Sequence, residues 1–186
     1  MRSGVVIFPG SNCDRDMIVA LRQITGKTPI KIWHKENNIP NLDLIDIPGG
    51  FTFGDYLRCG ALAARSPVIS SIKNHISRGG TVLGVCNGFQ ILIEAKILPG
   101  SLVRNKKLLF TCREITLEVQ SCMKNPFLSG FKIGERFKIR VAHNEGNYFA
   151  PQDLIKKLKE EGRIALKYCN NSNNEKITIL TDHQKI

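Results

Sequence analysis

Short apolar runs rich in β-branched residues alternate along the first half of the chain with longer stretches of helical character. The runs show little apolar–polar alternation, which is typical of strands buried on both faces of a parallel sheet. We therefore expect a flavodoxin-like α/β fold with a doubly wound, mainly parallel sheet flanked by helices. The predicted strands are residues 4–8, 29–33, 42–47 and 81–85, and the predicted helices begin near Asp14, at Ser66-Pro67 and at Gly88.

The pattern changes after Gly100. Residues 110–119 and 135–141 alternate apolar and polar side chains more regularly, as strands of antiparallel sheets do. This part predicts a small antiparallel excursion from the main sheet. The predicted elements that follow are a helix over residues 151–161 and a strand over residues 163–168.

Composition and charge narrow the possible partners. The chain has 186 residues, which suffices for one domain with a sizeable core, and a net charge of +11. The basic residues are scattered and not interleaved with aromatic ones, so we expect no nucleic-acid partner. No apolar run approaches the ~20 residues of a membrane span. The six cysteines form no C-x-x-C pair, so we expect reduced thiols, no metal site and a cytoplasmic location.

The segment Gly84-Val85-Cys86-Asn87-Gly88 joins a predicted strand to a predicted helix in the pattern of a nucleophile elbow. Such a turn strains the backbone of the nucleophile and exposes its side chain, and a helix N-terminus favours the thiolate. The backbone N–H of Asn87 is placed where an oxyanion would develop. We therefore predict that Cys86 is a catalytic nucleophile; the alternative is a buried structural cysteine before a turn.

A second turn, Pro48-Gly49-Gly50-Phe51, ends the third predicted strand. Ligands of doubly wound sheets bind at the carboxyl ends of the strands, so this turn and Cys86 should share one edge. The N–H of Gly50 or Phe51 is then a candidate second oxyanion donor.

Four segments together resemble a known family. They are F-P-G-S-N-C-D-R-D (residues 8–16), P-G-G-F-T-F-G-D-Y-L-R-C-G-A (48–61), G-V-C-N-G-F-Q-I-L (84–92) and A-H-N-E-G-N-Y (142–148). The chain is similar in these segments to the glutamine amidotransferase (glutaminase) subunits of phosphoribosylformylglycinamidine synthase, within the class I amidotransferases. The resemblance extends to about Tyr168.

The resemblance implies that glutamine is hydrolysed through a thioester on Cys86. The ammonia would pass to an ATP-dependent synthetase subunit, which converts formylglycinamide ribonucleotide to its amidine in purine biosynthesis. Gly50 and Asn87 would supply oxyanion donors, Gln90 would shape the glutamine pocket, and residues 55–58 would face the partner. The resemblance implies no cofactor in this subunit, ATP and Mg²⁺ in the synthetase, and a small accessory subunit in the complex.

The catalytic base is expected elsewhere in this family, in a P-H-P-E segment that this sequence does not contain. From spacing alone, His143 and Glu145 could complete a triad with Cys86. The resemblance instead assigns the A-H-N-E-G segment to the partner interface or the ammonia route. We expect His34 and His75 to be surface residues, and no role is assigned to His183. Without its base, the chain is expected to hydrolyse glutamine slowly.

We expect residues 1–178 to form an amidotransferase domain that is incomplete at its C-terminus, without its final strands. Residues 179–186 are expected to be an aberrant tail, because one permitted codon choice for them encodes P-N-G-S-P-K-D when read from the third nucleotide. The family commonly has N-P-N-G-S at this place, so a frameshift explains the tail. The alternatives are a catalytically silent homologue that only binds a partner and an isolated cysteine hydrolase of the same fold.

Overall fold

The computed structural model describes residues 1–122 and 125–169 and the backbone of residues 178–180. The chain divides into two compact units, Met1–Ile97 and a second unit that begins at Leu98. The first unit contains β1 (Ser3–Ile7), α1 (Asp14–Thr25), β2 (Ile30–Trp33), β3 (Leu44–Ile47), α2 (Val68–Ser77), β4 (Thr81–Gly84) and α3 (Asn87–Glu94). The second contains β5 (Ser101–Val103), β6 (Thr111–Val119), β7 (Arg136–His143), β8 (Asn147–Phe149), α4 (Gln152–Glu160), β9 (Ile164–Cys169) and β10 (Thr178–Leu180).

The first unit is built on a parallel four-stranded sheet in the order β2-β1-β3-β4. The inner strands β1 and β3 are buried on both faces, and Val5 and Ile45 are completely buried, whereas the edge strand β2 buries only Ile32. On the face toward α1, Val5 and Leu44 pack with Leu21 of the helix. The strand order changes direction between β1 and β3, which is where doubly wound sheets bind ligands.

The second unit has an antiparallel four-stranded sheet in the order β10-β9-β6-β7 and a two-stranded sheet of β5 and β8. Residues of β6 and β9 form its buried cluster with Leu128, namely Leu117, Val119, Ala165 and Leu166. The predicted fold class is confirmed, and the antiparallel part of the chain also takes in β9 and β10.

Two predictions about the histidines are wrong. His34 and His75 are buried, with 6% and 2% of their surface exposed, and are not surface residues. The ring of His34 packs against Phe8 and Phe53, and its Nδ1 lies 3.1 Å from the hydroxyl of Ser66. Burial lowers the pKa of both histidines, because desolvation disfavours the charged ring.

The surroundings of His75 explain its burial in more detail. Its Nε2 donates to the carbonyl of Thr81 over 3.1 Å, and its ring fills the space that a side chain at residue 80 would need. Gly80 therefore makes room for the histidine. The surface assignment rested on the lack of an acidic residue at a useful spacing, which does not show whether neighbouring backbone encloses the ring, and this is why it failed.

The predicted tail over residues 179–186 is only partly described. The backbone of residues 178–180 forms β10, in which Thr178 pairs with Lys167 of β9. Residues 181–186, including His183, lie outside the described part of the chain. The frameshift and the boundary at residue 178 stay predictions.

Candidate active site

Cys86 is positioned by the turn between β4 and α3. Its backbone has φ 53° and ψ −108°, a combination that residues other than glycine rarely adopt. Such backbone strain is typical of functional sites. The residue is exposed, whereas Asn87 and Gly88 behind it are buried. The turn therefore presents the thiol while the start of α3 is packed into the unit, as predicted for a nucleophile elbow.

Steric constraints explain why glycines flank the elbow on both sides. A side chain on Gly88 would overlap the carbonyl oxygen of Ile47 at the end of β3, because α3 begins directly above that strand. A side chain on Gly84 would come within 2.5 Å of Leu92 and 2.9 Å of the backbone of Gly88. The spacing G-x-C-x-G thus reflects how closely strand and helix approach each other.

The Pro48–Phe51 turn lies against the nucleophile, as predicted. A Cβ placed on Gly49 would be 3.3 Å from the Cβ of Cys86. The N–H groups of Asn87 and Gly50 both hydrogen-bond to the Cys86 sulfur. Two backbone donors that converge on one point beside a thiol form a candidate oxyanion hole. The side chain of Phe51 is half exposed at the rim of this turn.

The thiol of Cys86 does not have the lowered pKa that its place at a helix N-terminus predicted. Although the residue as a whole is exposed, desolvation of its sulfur by the surrounding protein atoms is the largest effect and raises the pKa of Cys86. The N–H of Asn87 lowers this pKa, nearby Cys13 and Asp55 raise it, and the N–H of Gly50 lowers it. Desolvation and the charge interactions with Cys13 and Asp55 outweigh the two donors.

Residues of the loop after β1 also border the site, and the sequence assigned them no role. The Sγ of Cys13 is 3.7 Å from the position of a Cβ on Gly49. Gly50 has φ 128°, and a Cβ there would lie 2.5 Å from the side-chain oxygen of Asn12. The loops after β1, β3 and β4 therefore meet at the carboxyl edge of the sheet, around the change in strand order.

Gln90 is buried on the first turn of α3, and its side-chain oxygen accepts a hydrogen bond of 2.9 Å from Asn87. The structure thus brings Cys86, Gly50, Phe51, Asn87 and Gln90 into one region of the first unit. The proximity fits the predicted site, and the catalytic role of each residue stays a prediction.

His143 belongs to the second unit, at the end of β7. Its Nδ1 donates to the side-chain oxygen of Asn105 over 3.0 Å. The same oxygen accepts the N–H of Gly146, and the Asn105 amide nitrogen donates to the carbonyl of His143 over 2.9 Å. His143 is therefore a member of a hydrogen-bond network centred on the buried Asn105.

Neither a metal cluster nor a membrane helix is found in the residues that the structure describes. Across those residues, no group of three or more His, Cys, Asp or Glu side chains could hold a metal ion. None of the helices in the same part of the chain is long and apolar enough to cross a membrane.

A parallel sheet with a cysteine elbow and two converging donors is the arrangement expected of a cysteine-dependent amidotransferase domain. Comparison with known families agrees. The profile of the CobB/CobQ-like glutamine amidotransferase domain matches residues 1–180. The chain belongs to this glutamine amidotransferase family, among its PurQ subunits of phosphoribosylformylglycinamidine synthase.

Three relatives illustrate this membership. The chain is 49% identical over 174 residues to phosphoribosylformylglycinamidine synthase subunit PurQ of Brucella suis, covering 93% of this chain and 78% of the relative. It is 48% identical over 171 residues to the PurQ subunit of Bradyrhizobium diazoefficiens, covering 91% and 73%. Among solved structures, PurLQS from Thermotoga maritima contains a similar chain with a TM-score of 0.83 and 36% identity, covering 98% of this chain and 86% of that one.

Proposed function

We propose that this chain is the glutaminase subunit of a phosphoribosylformylglycinamidine synthase and that Cys86 carries out its chemistry. The observation that carries the proposal is the convergence of the Gly50 and Asn87 N–H groups on the Cys86 sulfur. The match of residues 1–180 to a glutamine amidotransferase domain, together with the identity to PurQ subunits over more than nine-tenths of the chain, supports glutamine as the substrate class.

The proposed reaction has two steps. The thiolate of Cys86 attacks the side-chain amide carbon of glutamine, and the carbonyl oxygen becomes an oxyanion that the N–H groups of Gly50 and Asn87 stabilise. The C–N bond then breaks, the nitrogen takes up from water a proton that replaces the one the Cys86 thiol released on forming the thiolate, ammonia leaves, and a thioester is left on the sulfur. Water hydrolyses the thioester, which releases glutamate and restores the thiol.

The raised pKa of Cys86 fits a nucleophile that is mostly a thiol at rest. The two donors that stabilise the thiolate are also the donors that would hold the oxyanion. Because the resting sulfur is mostly a neutral thiol, their contribution would increase when negative charge develops on the substrate oxygen. Gln90 and Phe51 are proposed to shape the glutamine pocket next to these donors.

The partner is proposed to be the synthetase subunit, with a small accessory subunit in the same complex and a cytoplasmic location. The similar chain of known structure belongs to PurLQS of Thermotoga maritima, which supports a partner of this kind. In the present chain Tyr56 and Leu57 leave 75% and 83% of their surface exposed on the segment that follows the Gly50 turn. Exposed apolar residues of this size next to a site favour a docking role. The chain itself is proposed to use no cofactor, and ATP and Mg²⁺ would act on the synthetase.

A glutamine-shaped electrophile tests the site directly. A chloromethyl ketone analogue of L-glutamine should alkylate Cys86, its D-enantiomer should react much more slowly, and L-glutamine should protect the thiol. Peptide mapping by mass spectrometry locates the label, and Cys112→Ser, on the exposed surface of β6, is the matched control. Equal labelling by both enantiomers, or labelling that glutamine does not slow, would contradict a glutamine site at Cys86.

Turnover is measured separately as glutamate release, with and without a synthetase subunit. Cys86→Ala should abolish the release, and Cys112→Ser should leave it unchanged. Glutamate release that survives in Cys86→Ala would overturn the proposed nucleophile.

A further inference from the structure

The side chain of Asn87 is completely buried and joins three parts of the site. Its oxygen accepts the backbone N–H of Thr52 over 3.1 Å, two residues after Gly50. Its nitrogen donates to the side-chain oxygen of Gln90 over 2.9 Å and to a carboxylate oxygen of Asp55 over 3.1 Å. One amide therefore connects the start of α3 with the turn after β3 and with the segment that follows it.

That segment is backbone-strained. Phe53, Asp55 and Leu57 all have positive φ values, of 54°, 53° and 72°, although none of them is glycine. A non-glycine residue in this conformation is strained and persists only where surrounding contacts enforce it. The bond from Asn87 to Asp55 is one of these contacts. Another is the 2.7 Å bond from the N–H of Phe53 to the carbonyl of Pro9.

Asn87 contributes its side chain, as well as its backbone N–H, to the contacts around Cys86. We propose that its side chain, held by Asp55, is a positioning group that sets the distance between the two oxyanion donors. Because the amide oxygen of Asn87 fixes Thr52, it also fixes Gly50 relative to the backbone N–H of Asn87. This inference rests on the proposed function, since an oxyanion hole matters only if a carbonyl compound is attacked at Cys86.

The magnitude of the effect follows from the geometry that such donors require. Oxyanion donors act when they lie about 2.7–3.1 Å from the developing charge, and loss of one donor costs about 10²–10³-fold in rate. Displacement of Gly50 by a few tenths of an ångström loses part of that contribution. We therefore expect substitutions of the Asn87 side chain to slow oxyanion-forming reactions by about 10-fold or more.

Two electrophiles separate positioning from general damage. Iodoacetamide alkylates a thiolate by losing iodide, and no oxyanion forms at its carbonyl. The chloromethyl ketone analogue of L-glutamine places a ketone oxygen in the hole while chloride leaves and a C–S bond forms to the sulfur. The rate constant for the chloromethyl ketone divided by the rate constant for iodoacetamide, both measured at Cys86 in the full chain, therefore reports on the two oxyanion donors. Asn87→Asp should lower this ratio, because it keeps the acceptor for Thr52 but replaces the donor to Asp55 and Gln90 with a carboxylate that repels both oxygens.

Exchanging the two side chains provides a rescue. The double variant Asp55→Asn with Asn87→Asp restores one donor and one acceptor in the reverse direction, and it should recover most of the lost ratio. Asp55→Asn alone keeps an acceptor oxygen and removes a charge that raises the pKa of Cys86, so its alkylation profile should move to lower pH. Asn74→Asp, on the exposed face of α2, controls for the added charge.

The outcomes discriminate clearly. A ratio that falls in Asn87→Asp and recovers in the double variant supports the proposal. An unchanged ratio, or a loss of both rates that the exchange does not restore, overturns it. Thermal unfolding of each variant separates misfolding from displacement. If the wild-type chain itself fails to distinguish the L- from the D-analogue, the proposed function fails instead.

Discussion

At the scale of single residues, the site combines a partly desolvated thiol with two N–H donors that can stabilise a negative charge. Cys13 and Asp55 both raise the pKa of Cys86, whereas the two N–H groups that face its sulfur lower it. A sulfur in this setting is a moderate nucleophile at neutral pH, because less thiolate is present than in water. Reactivity toward substrate-like carbonyls is then expected to exceed reactivity toward simple alkylating agents.

Replacement of Cys13 should make Cys86 easier to ionise. Because Cys13 raises the pKa of Cys86, the variant Cys13→Ser should shift the iodoacetamide profile of Cys86 toward lower pH. The measurement is the rate of Cys86 alkylation between about pH 6 and pH 10, followed on the Cys86 peptide. This pH interval brackets the ordinary thiol pKa of about 8.5. Cys112→Ser should leave the profile in place. A Cys13→Ser profile identical to that of the wild type would show that the two thiols do not interact.

The backbone part of the site was predictable from the sequence, and the side-chain part was not. The elbow at Cys86 is local, so spacing alone predicts the exposed thiol and the adjacent N–H. The bonds from Asn87 to Asp55 and Thr52 join residues 32 and 35 positions apart, and no periodic pattern signals such pairs. The burial of His34 escaped prediction for the same reason, because its partner Ser66 lies 32 positions away. The partners of His75 are local, since Thr81 is six positions away, and its burial was missed although α2 also buries Val68 and Ile72.

At the scale of elements, β3 contains an unusual residue for a central strand. Asp46 is completely buried, and both of its carboxylate oxygens are without a hydrogen-bond partner among the described residues. It pairs in register with Val5 and Leu83, and it shares a strand face with Leu44 of the apolar cluster under α1. Burial raises the pKa of Asp46 to about 7. The strand therefore holds a neutral carboxylic acid below that pH.

The stability of the first unit should fall as the pH rises. The folded pKa of Asp46 is about 7, and an unfolded aspartate has a pKa of about 3.9. The native chain binds the extra proton between these values, so the stability contribution is full below about pH 4 and is lost by about pH 7. The loss amounts to up to ~4 kcal/mol.

Two substitutions at this position test the assignment. Asp46→Asn should flatten the dependence of the free energy of unfolding on pH between about 4 and 7. Asp46→Val should flatten this dependence too, and it should also raise the free energy of unfolding at neutral pH. Urea unfolding across this range is the measurement, with Asp153→Asn on the exposed surface of α4 as the control. A slope that is equal in wild type and Asp46→Asn would mean that another group titrates.

The second unit offers a comparison between two asparagines. Asn105 is almost completely buried and bonds to His143, Gly146, Leu109 and Thr111. The side chain of Asn125 accepts one N–H bond, from Phe127. Asn105→Ala should cost about 2–4 kcal/mol, because several buried groups lose their partner at ~1–3 kcal/mol each. Asn125→Ala should cost about 1 kcal/mol. Equal losses in thermal or urea unfolding would contradict a central role for Asn105.

The elements themselves were largely predictable. Predicted strands and helices agree with β1 to β4, α1 to α3, β6, β7, α4 and β9 within a few residues, because long apolar periodicities dominate their sequences. The strands β5 and β8 were missed, since each spans three residues and pairs only with the other. Periodicity also gave no indication that β9 joins the antiparallel sheet, because strand direction depends on long-range pairing.

At the scale of the whole molecule, each unit has a buried cluster of its own. Val5, Leu21 and Leu44 form one in the first unit, and the cluster around Leu117 forms one in the second. Local opening of a protein follows such packed regions, which exchange their amide protons as cooperative groups. Changes in one cluster are therefore expected to be felt mainly within its own unit.

Hydrogen exchange followed by mass spectrometry checks this expectation on the full chain. Asn105→Ala should speed exchange in β6 and β7 and leave β1 and β3 near their wild-type rates. Asp46→Asn, at a pH slightly above the Asp46 pKa of about 7, should slow exchange in β1 and β3 only. If either variant changes the protection of both units to the same degree, the chain opens as one cooperative body.

The contact between the start of α3 and the end of β3 limits how this gene can vary. A single-base change in a glycine codon produces alanine, valine, serine, arginine, cysteine, tryptophan, aspartate, glutamate or a stop. Every one of these residues carries a Cβ, and at Gly88 a Cβ would overlap the Ile47 carbonyl oxygen. At Gly130 the same Cβ would meet nothing within 4 Å. Gly88 therefore tolerates no single-base substitution, whereas Gly130 does. In a library of random variants that keep the fold, many residues should be found at position 130, and position 88 should stay glycine.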